Sequence, residues 1–195
     1  MAGIEAINIA RTFQTWPLEA STLTRQSFRQ HVEGESPILH IGTHGDLNHR
    51  NPLLSSISIG HGQDFRVLDM SAVRRNVSLL IFAACLSGLG KATISSEVLG
   101  FSHVVLSTGL QAYIWTLWKV SDFGSMIVMT VFYRLLKRKT FLLVTDLMRE
   151  AQLKVLGLDC EKAGALLDDI MRDWSLPDIL GRVPAEFLPD AGFCC

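Results

Sequence analysis

The sequence predicts an α/β fold with a mostly parallel central sheet flanked by helices, and three observations carry that expectation. Two mainly apolar runs, Ile38–Gly42 and Val77–Ala83, have the length and composition of strands buried on both faces. Each run leads within a few residues to a small residue and a reactive side chain, His44 in one case and Cys85 in the other. Segments of helical and strand character then alternate along the chain, the pattern of parallel strands joined by crossover connections.

Taken in order, residues 1–15 show no clear period and are expected to be a frayed tail. After Pro17, Leu18 to Val32 reads as a helix with Glu19 in its first turn and Leu23 and Phe28 towards a core, ended by Gly34 and Pro37. Ile38–Gly42 follows as a buried strand. Residues 45–65 are rich in loop formers (Asp46, Asn48, Asn51-Pro52, Gly60, Gly62), with the strict alternation Ser56-Ile57-Ser58-Ile59 suited to an edge hairpin strand. Asp69 to Val73 reads as a short helix, and Val77–Ala83 as the centre of the parallel sheet. Val104-Val105-Leu106 would also suit a strand. Residues 95–108 are read as helix because Gly109 supplies a C-terminus, and Ser95 or Ser96 with Glu97 supplies an acidic first turn. Tyr113–Val120 is a further strand, rich in aromatic and β-branched residues. Ser121 or Asp122 then caps a long helix through Leu136 that carries Met126, Met129 and Val131. Further helices are expected over Thr140–Leu156 and Cys160–Trp174. The expected organisation is a tail over 1–16, a domain over 17–156, and a C-terminal helix with an irregular tail over 157–195.

Composition narrows the function. With 195 residues, 48% of them hydrophobic, the chain suits one domain with a real core. A net charge of −1 with 19% charged residues gives no electrostatic footprint for nucleic acid or an anionic membrane. The short basic run Lys137-Arg138-Lys139 suits a helix C-terminus, where cations oppose the dipole. No apolar run reaches the ~18 residues that span a bilayer. Met1 to Ala10 carries Glu5 and lacks the basic flank of a signal peptide. Cysteines at 85, 160, 194 and 195 have neither metal-type nor disulfide-framework spacing, so a reduced, cytoplasmic protein is expected. The Cys194-Cys195 pair invites a prenylation reading but has no polybasic support nearby.

The chemistry-bearing residues are His44 and Cys85, 41 residues apart. A thiol needs a base or a cationic neighbour to act as a nucleophile at neutral pH. Adjacent parallel strands place their C-terminal ends side by side, so two such ends can form a Cys/His dyad. Against this stands the tendency of a lone strand-end cysteine to be buried and inert. His40, four residues before His44, lacks the glutamate of a His-Glu-x-x-His zinc site, and His49 and His61 read as solvated loop residues. No Gly-x-Ser-x-Gly elbow and no phosphate-binding glycine loop occurs. Neither a metal nor an organic cofactor is expected.

Four segments occur in a telling order: Thr43-His44-Gly45, Asn51-Pro52-Leu53-Leu54-Ser55, Ala83-Ala84-Cys85-Leu86-Ser87-Gly88, and Thr116-Leu117-Trp118-Lys119-Val120-Ser121-Asp122. With Phe132-Tyr133 and Ala151-Gln152 downstream, the set resembles the CHAT family, caspase-like cysteine peptidases related to caspases, separases and gingipains, over roughly residues 17–154. The resemblance implies a caspase-like three-layer sandwich in which His44 is the catalytic histidine and Cys85 the nucleophile. Cys85 would form a thioester with the substrate, His44 would protonate the departing amine, and the backbone N–H groups of Gly45 and Cys85 would hold the oxyanion. Trp118 either walls the substrate pocket or is a core aromatic. Asp122 either lines the primary specificity pocket, as in relatives that cut after basic residues, or caps its helix.

Both ends depart from the family pattern. Only 16 residues precede Pro17, where relatives carry additional strands, and the segment from Ser175 does not resemble their closing aromatic-rich strand. The expectation is a sandwich shortened at both ends, a fragment of a larger protein, or a chain whose ends are misassigned. The helical-repeat partner-sensing module found beside many such domains is absent, so regulatory input is expected from another protein. Three readings follow: an endopeptidase acting on protein or peptide substrates, an inactive CHAT-type domain that binds a protein partner, and an α/β domain whose motifs are coincidence.

Overall fold

The computed structural model describes residues 2–18, 22–34, 36–43, 45–46, 48, 51–60, 62–66, 68–69, 77–83, 105–107, 109–116, 120–139 and 142–172. The chain divides into two units, one of residues 17–120 and the other of residues 3–16 with the segment from 121 onward. The first holds the strands and the second is helical, so the expected α/β class and parallel sheet are what the chain forms.

In chain order the first unit contains α2 (Arg25–Glu33), β1 (Ile38–Ile41), β2 (Gly45–Asp46), β3 (Ser56–Gly60), β4 (Gln63–Arg66), β5 (Leu79–Phe82) and β6 (Ala112–Trp115). The parallel sheet has the order β1-β5-β6, which puts the most apolar run at its centre as expected. All four residues of β5 are buried, the burial expected of a strand covered on both faces. Register sorts the side chains. The rows Leu39–Leu80–Tyr113 and Ile41–Phe82–Trp115 share one face. That face joins a core cluster with Phe28 and Val32 of α2, Ile57, Ile59 and Phe65 of the antiparallel strands, and Val105 and Leu110. Phe28 and Phe65 meet edge to face, with ring centroids 4.9 Å apart. On the opposite face lie Leu79 and Ile81, also buried, with His40 beside Ile81.

Several boundaries differ from expectation. α2 begins at Arg25 rather than near Leu18, because Thr24 makes a capping box with Ser27: the Thr24 hydroxyl accepts from the Ser27 N–H, and the Ser27 hydroxyl from the Thr24 N–H. Arg25 also fastens this helix start to β4, its backbone N–H donating to Gln63 and its guanidinium to the Asp64 carbonyl, each at 2.9 Å. The Ser56–Gly60 strand is not an edge. It is the middle of an antiparallel sheet ordered β2-β3-β4. β6 is shorter than the expected 113–120 strand. Residues 105–107 are helical and close on Gly109 at φ +87°, a conformation that costs glycine little, so the helical reading holds there. The rest of 95–108, and residues 70–73 of the expected short helix, lie outside the described residues.

The helical unit contains α1 (Ala2–Thr12), α3 (Asp122–Arg138), α4 (Val144–Leu156) and α5 (Cys160–Arg172). The N-terminal segment is thus a helix and not a frayed tail. Its period escapes a hydrophobicity reading because the buried stripe passes through Glu5 and Asn8 as well as Ile9. Asn8 donates its amide to the Thr130 hydroxyl at 2.6 Å, and Lys137 reaches the Thr12 carbonyl at 2.6 Å. Phe13 packs edge to face on Tyr133. Burial, and secondarily the Glu5 carboxylate, push the Tyr133 phenol far above its ordinary range, so it stays neutral. Along α3, Phe123, Met126 and Ile127 form a cluster with Ile7, Val155, Leu158, Leu166 and Leu167. Lys137 and Arg138 lie in the last turn of α3, as the basic run predicts. Among the described residues, no helix is long and apolar enough to cross a membrane.

Where α3 turns into α4, Glu150 receives Lys139 at 2.7 and 2.9 Å and Lys154 at 3.1 Å. The Lys139 hydrogen bond, followed by that from Lys154, holds the Glu150 carboxyl below its ordinary pKa. A depressed folded-state pKa contributes stability above the unfolded carboxylate's pKa and loses it as pH falls through the folded value. Glu150→Gln is therefore expected to lower the thermal midpoint slightly at neutral pH, with the gap to the native protein closing below about pH 4. Thermal scans of both proteins across that range read the difference directly.

Candidate active site

In the chain, the candidates follow the three strands of the parallel sheet. β1 and β5 are adjacent, parallel and paired Ile38–Leu79 through Ile41–Phe82. The Ala83 N–H donates to the Ile41 carbonyl at 3.0 Å, carrying the ladder one residue past β5. β6 joins on the other side with Phe82 opposite Trp115. The row Ile41–Phe82–Trp115 is therefore the last full row of the sheet, and neighbouring strands stand about 4.8 Å apart. His44, Cys85 and Trp118 each come three positions after a member of that row. The three residues themselves lie outside the described residues.

The segment around His44 is fixed from both sides. The Thr43 hydroxyl donates to the Ser58 carbonyl of β3. Gly45 is buried and pairs with Ile57, and Asp46 with Ser56. The loop that follows explains the Asn51-Pro52-Leu53-Leu54-Ser55 segment. Residues Pro52–Leu54 form a 3-10 turn, and the Asn51 side chain accepts from the Leu53 N–H at 3.1 Å. The Asn48 side chain accepts from the Asn51 N–H at 2.9 Å. Ser55 is 1% exposed, and its hydroxyl accepts from the Asn48 N–H at 3.0 Å. These groups hold the loop after the histidine with local hydrogen bonds. Thr43 and Ser55 stand in the motifs, but sequence reasoning assigns them no role. The available signal was their place, a hydroxyl directly before His44 and another ending an Asn-Pro turn.

The two roles considered for Asp122 separate in part. The cap of α3 is Ser121, whose hydroxyl accepts from the Gly124 N–H at 3.4 Å, and Asp122 is the first helical residue. The capping role expected of Asp122 thus falls to its neighbour, one step earlier in the chain. A carboxylate in the first turn still favours the helix dipole. Asp122 belongs to the helical unit. His40 sits within β1 in register with Ile81, a strand position and not the helical one that a His-x-x-x-His metal pair needs.

The sequence profile of the CHAT domain matches residues 2–184, nearly the whole chain and more than the 17–154 covered by the motifs. No curated protein matches significantly.

Proposed function

The chain belongs to the CHAT domain family, and from that premise we propose that it is a caspase-like cysteine endopeptidase working through His44 and Cys85. One observation supports the reading above others: both residues follow, at the same offset, a paired position in adjacent parallel strands. Equal offsets from one row support assigning both residues to the same edge of the sheet, where open α/β sheets bind their ligands.

The reaction is peptide hydrolysis in two steps. His44 takes the Cys85 thiol proton as the sulfur attacks the scissile carbonyl carbon, and the backbone N–H groups of Gly45 and Cys85 hold the oxygen that takes up the charge. The C–N bond breaks, the amine leaves with a proton from His44, and a thioester remains on Cys85. Water, losing a proton to His44, attacks the thioester to release the acid and restore the thiol. Trp118, beyond the same row, walls the substrate cleft, and Asp122 selects the residue before the cut. The substrate is a protein or peptide, a second protein regulates the domain, and the reaction runs in the cytoplasm without metal or cofactor.

Thiol reactivity tests this without knowledge of the substrate. Under limiting iodoacetamide at pH 7, Cys85 is expected to alkylate at least about tenfold faster than Cys160, as for an activated thiol. Peptide mapping by mass spectrometry reads both rates. Equal rates in the folded protein would favour a CHAT-type domain that binds a protein partner without cutting it.

A further inference from the structure

The geometry points to Thr43 as the positioning residue for His44, an inference that rests on the peptidase reading above. The Thr43 hydroxyl donates to the Ser58 carbonyl, 15 residues further along the chain, and so ties the exit of β1 to β3. The acceptor lies at an irregularity. Ser58 pairs with Asp64 and Gly60 with Gln63, so β3 advances two residues while β4 advances one. Such a bulge interrupts the ladder, bends the strand and re-aims its groups, and bulges are over-represented beside active sites.

On the far side of His44, Gly45 pairs with Ile57 and Asp46 with Ser56 on the same strand. β3 therefore holds residue 43 through a side chain and residue 45 through the backbone. The support is firm, since Ile57 and Ile59 are 4% and 3% exposed within the core cluster. The backbone is thus anchored on both sides of position 44. A proton donor displaced by about 1 Å costs on the order of 100-fold in rate, so this clamp is where a hydroxyl remote from the reacting atoms acts on catalysis. Loss of the Thr43 donor would leave the histidine segment held on one side only.

The test compares Thr43→Val, nearly the same shape without the donor, with Thr43→Ser, which keeps the donor. Both are assayed beside the native protein, Cys85→Ala and His44→Ala. Thr43→Val is expected to lower kcat about 10- to 100-fold with KM within about twofold and a thermal midpoint only about 2–4 °C below native, the cost of one hydrogen bond. Its pH–rate profile should shift on the limb that His44 governs. Thr43→Ser is expected to recover kcat to within about threefold of native. Native kcat in Thr43→Val, while Cys85→Ala and His44→Ala are silent, would remove the tether and leave the dyad standing. Equal losses in the valine and serine variants, or a fall in thermal midpoint large enough to unfold the valine variant at the assay temperature, would also overturn it. Absence of dyad-dependent cleavage in the native protein would remove the peptidase reading, and the tether with it.

Discussion

Cys85→Ala is expected to abolish peptide cleavage, lowering kcat/KM by at least about 1,000-fold while leaving the fold and substrate binding intact. The size follows from the chemistry. Alanine offers no nucleophile, so the two-step path through a thioester closes, and only what binding and oxyanion donors contribute to direct attack by water remains. No folding penalty of similar scale is expected, because the substitution removes one sulfur atom and adds no bulk or charge. Steady-state kinetics on a cleaved peptide, equilibrium binding of the same peptide, and a thermal scan separate these quantities. A variant that still cuts at more than about one tenth of the native rate would mean the nucleophile lies elsewhere.

The second large effect is on stability. Leu80 is 1% exposed, at the middle strand, with Leu39 and Tyr113 beside it in register. Leu80→Ala removes buried methyl groups at a place enclosed on both flanks by strands, so the surroundings can relax only partly. A cost of about 3 kcal/mol is expected, equivalent to a fall in thermal midpoint of roughly 6–12 °C for a chain of this size. Leu80→Met, which conserves volume, should cost less than about 1.5 kcal/mol. Urea unfolding of the three proteins tests the pair, and an alanine penalty no larger than that of methionine would contradict the placement of Leu80 between Leu39 and Tyr113.

What was legible in the sequence is what hydrophobic pattern can express. The unbroken run around Leu79–Phe82 reads as a central strand because every residue in it is buried. The start of α3 reads correctly because a serine precedes a long apolar helix, and Gly109 reads as a helix end because it takes a positive φ. The failures share a cause. α1 buries Glu5 and Asn8, so a search for apolar period passes over it. In β4, Gln63-Asp64-Phe65-Arg66 offers one buried residue among polar ones and looks like loop. With β4 missed, β3 looks like an edge, although it lies between two partners.

The site divides in the same way. The order of the motifs along the chain is a sequence property, and the structure adds that β1 and β5, the strands preceding His44 and Cys85 in the chain, are adjacent and parallel. The bond from Thr43 to Ser58 is not legible, since it joins residues 15 apart on strands whose proximity no local pattern marks. Likewise, Ser121 and Asp122 are both good cap residues, and only the hydrogen bond to Gly124 tells which one serves.

The most direct test of the dyad is cleavage of a positional-scanning fluorogenic peptide library by the native chain beside Cys85→Ala and His44→Ala. Cleavage by the native protein, lost in both variants, is the predicted result, and an Asp122-dependent preference for a basic residue before the cut would identify the specificity group. Cleavage that survives in either variant would contradict the dyad. So would a folded native protein that cuts nothing and shows no preferential alkylation of Cys85, which would make the chain a CHAT-type binding domain.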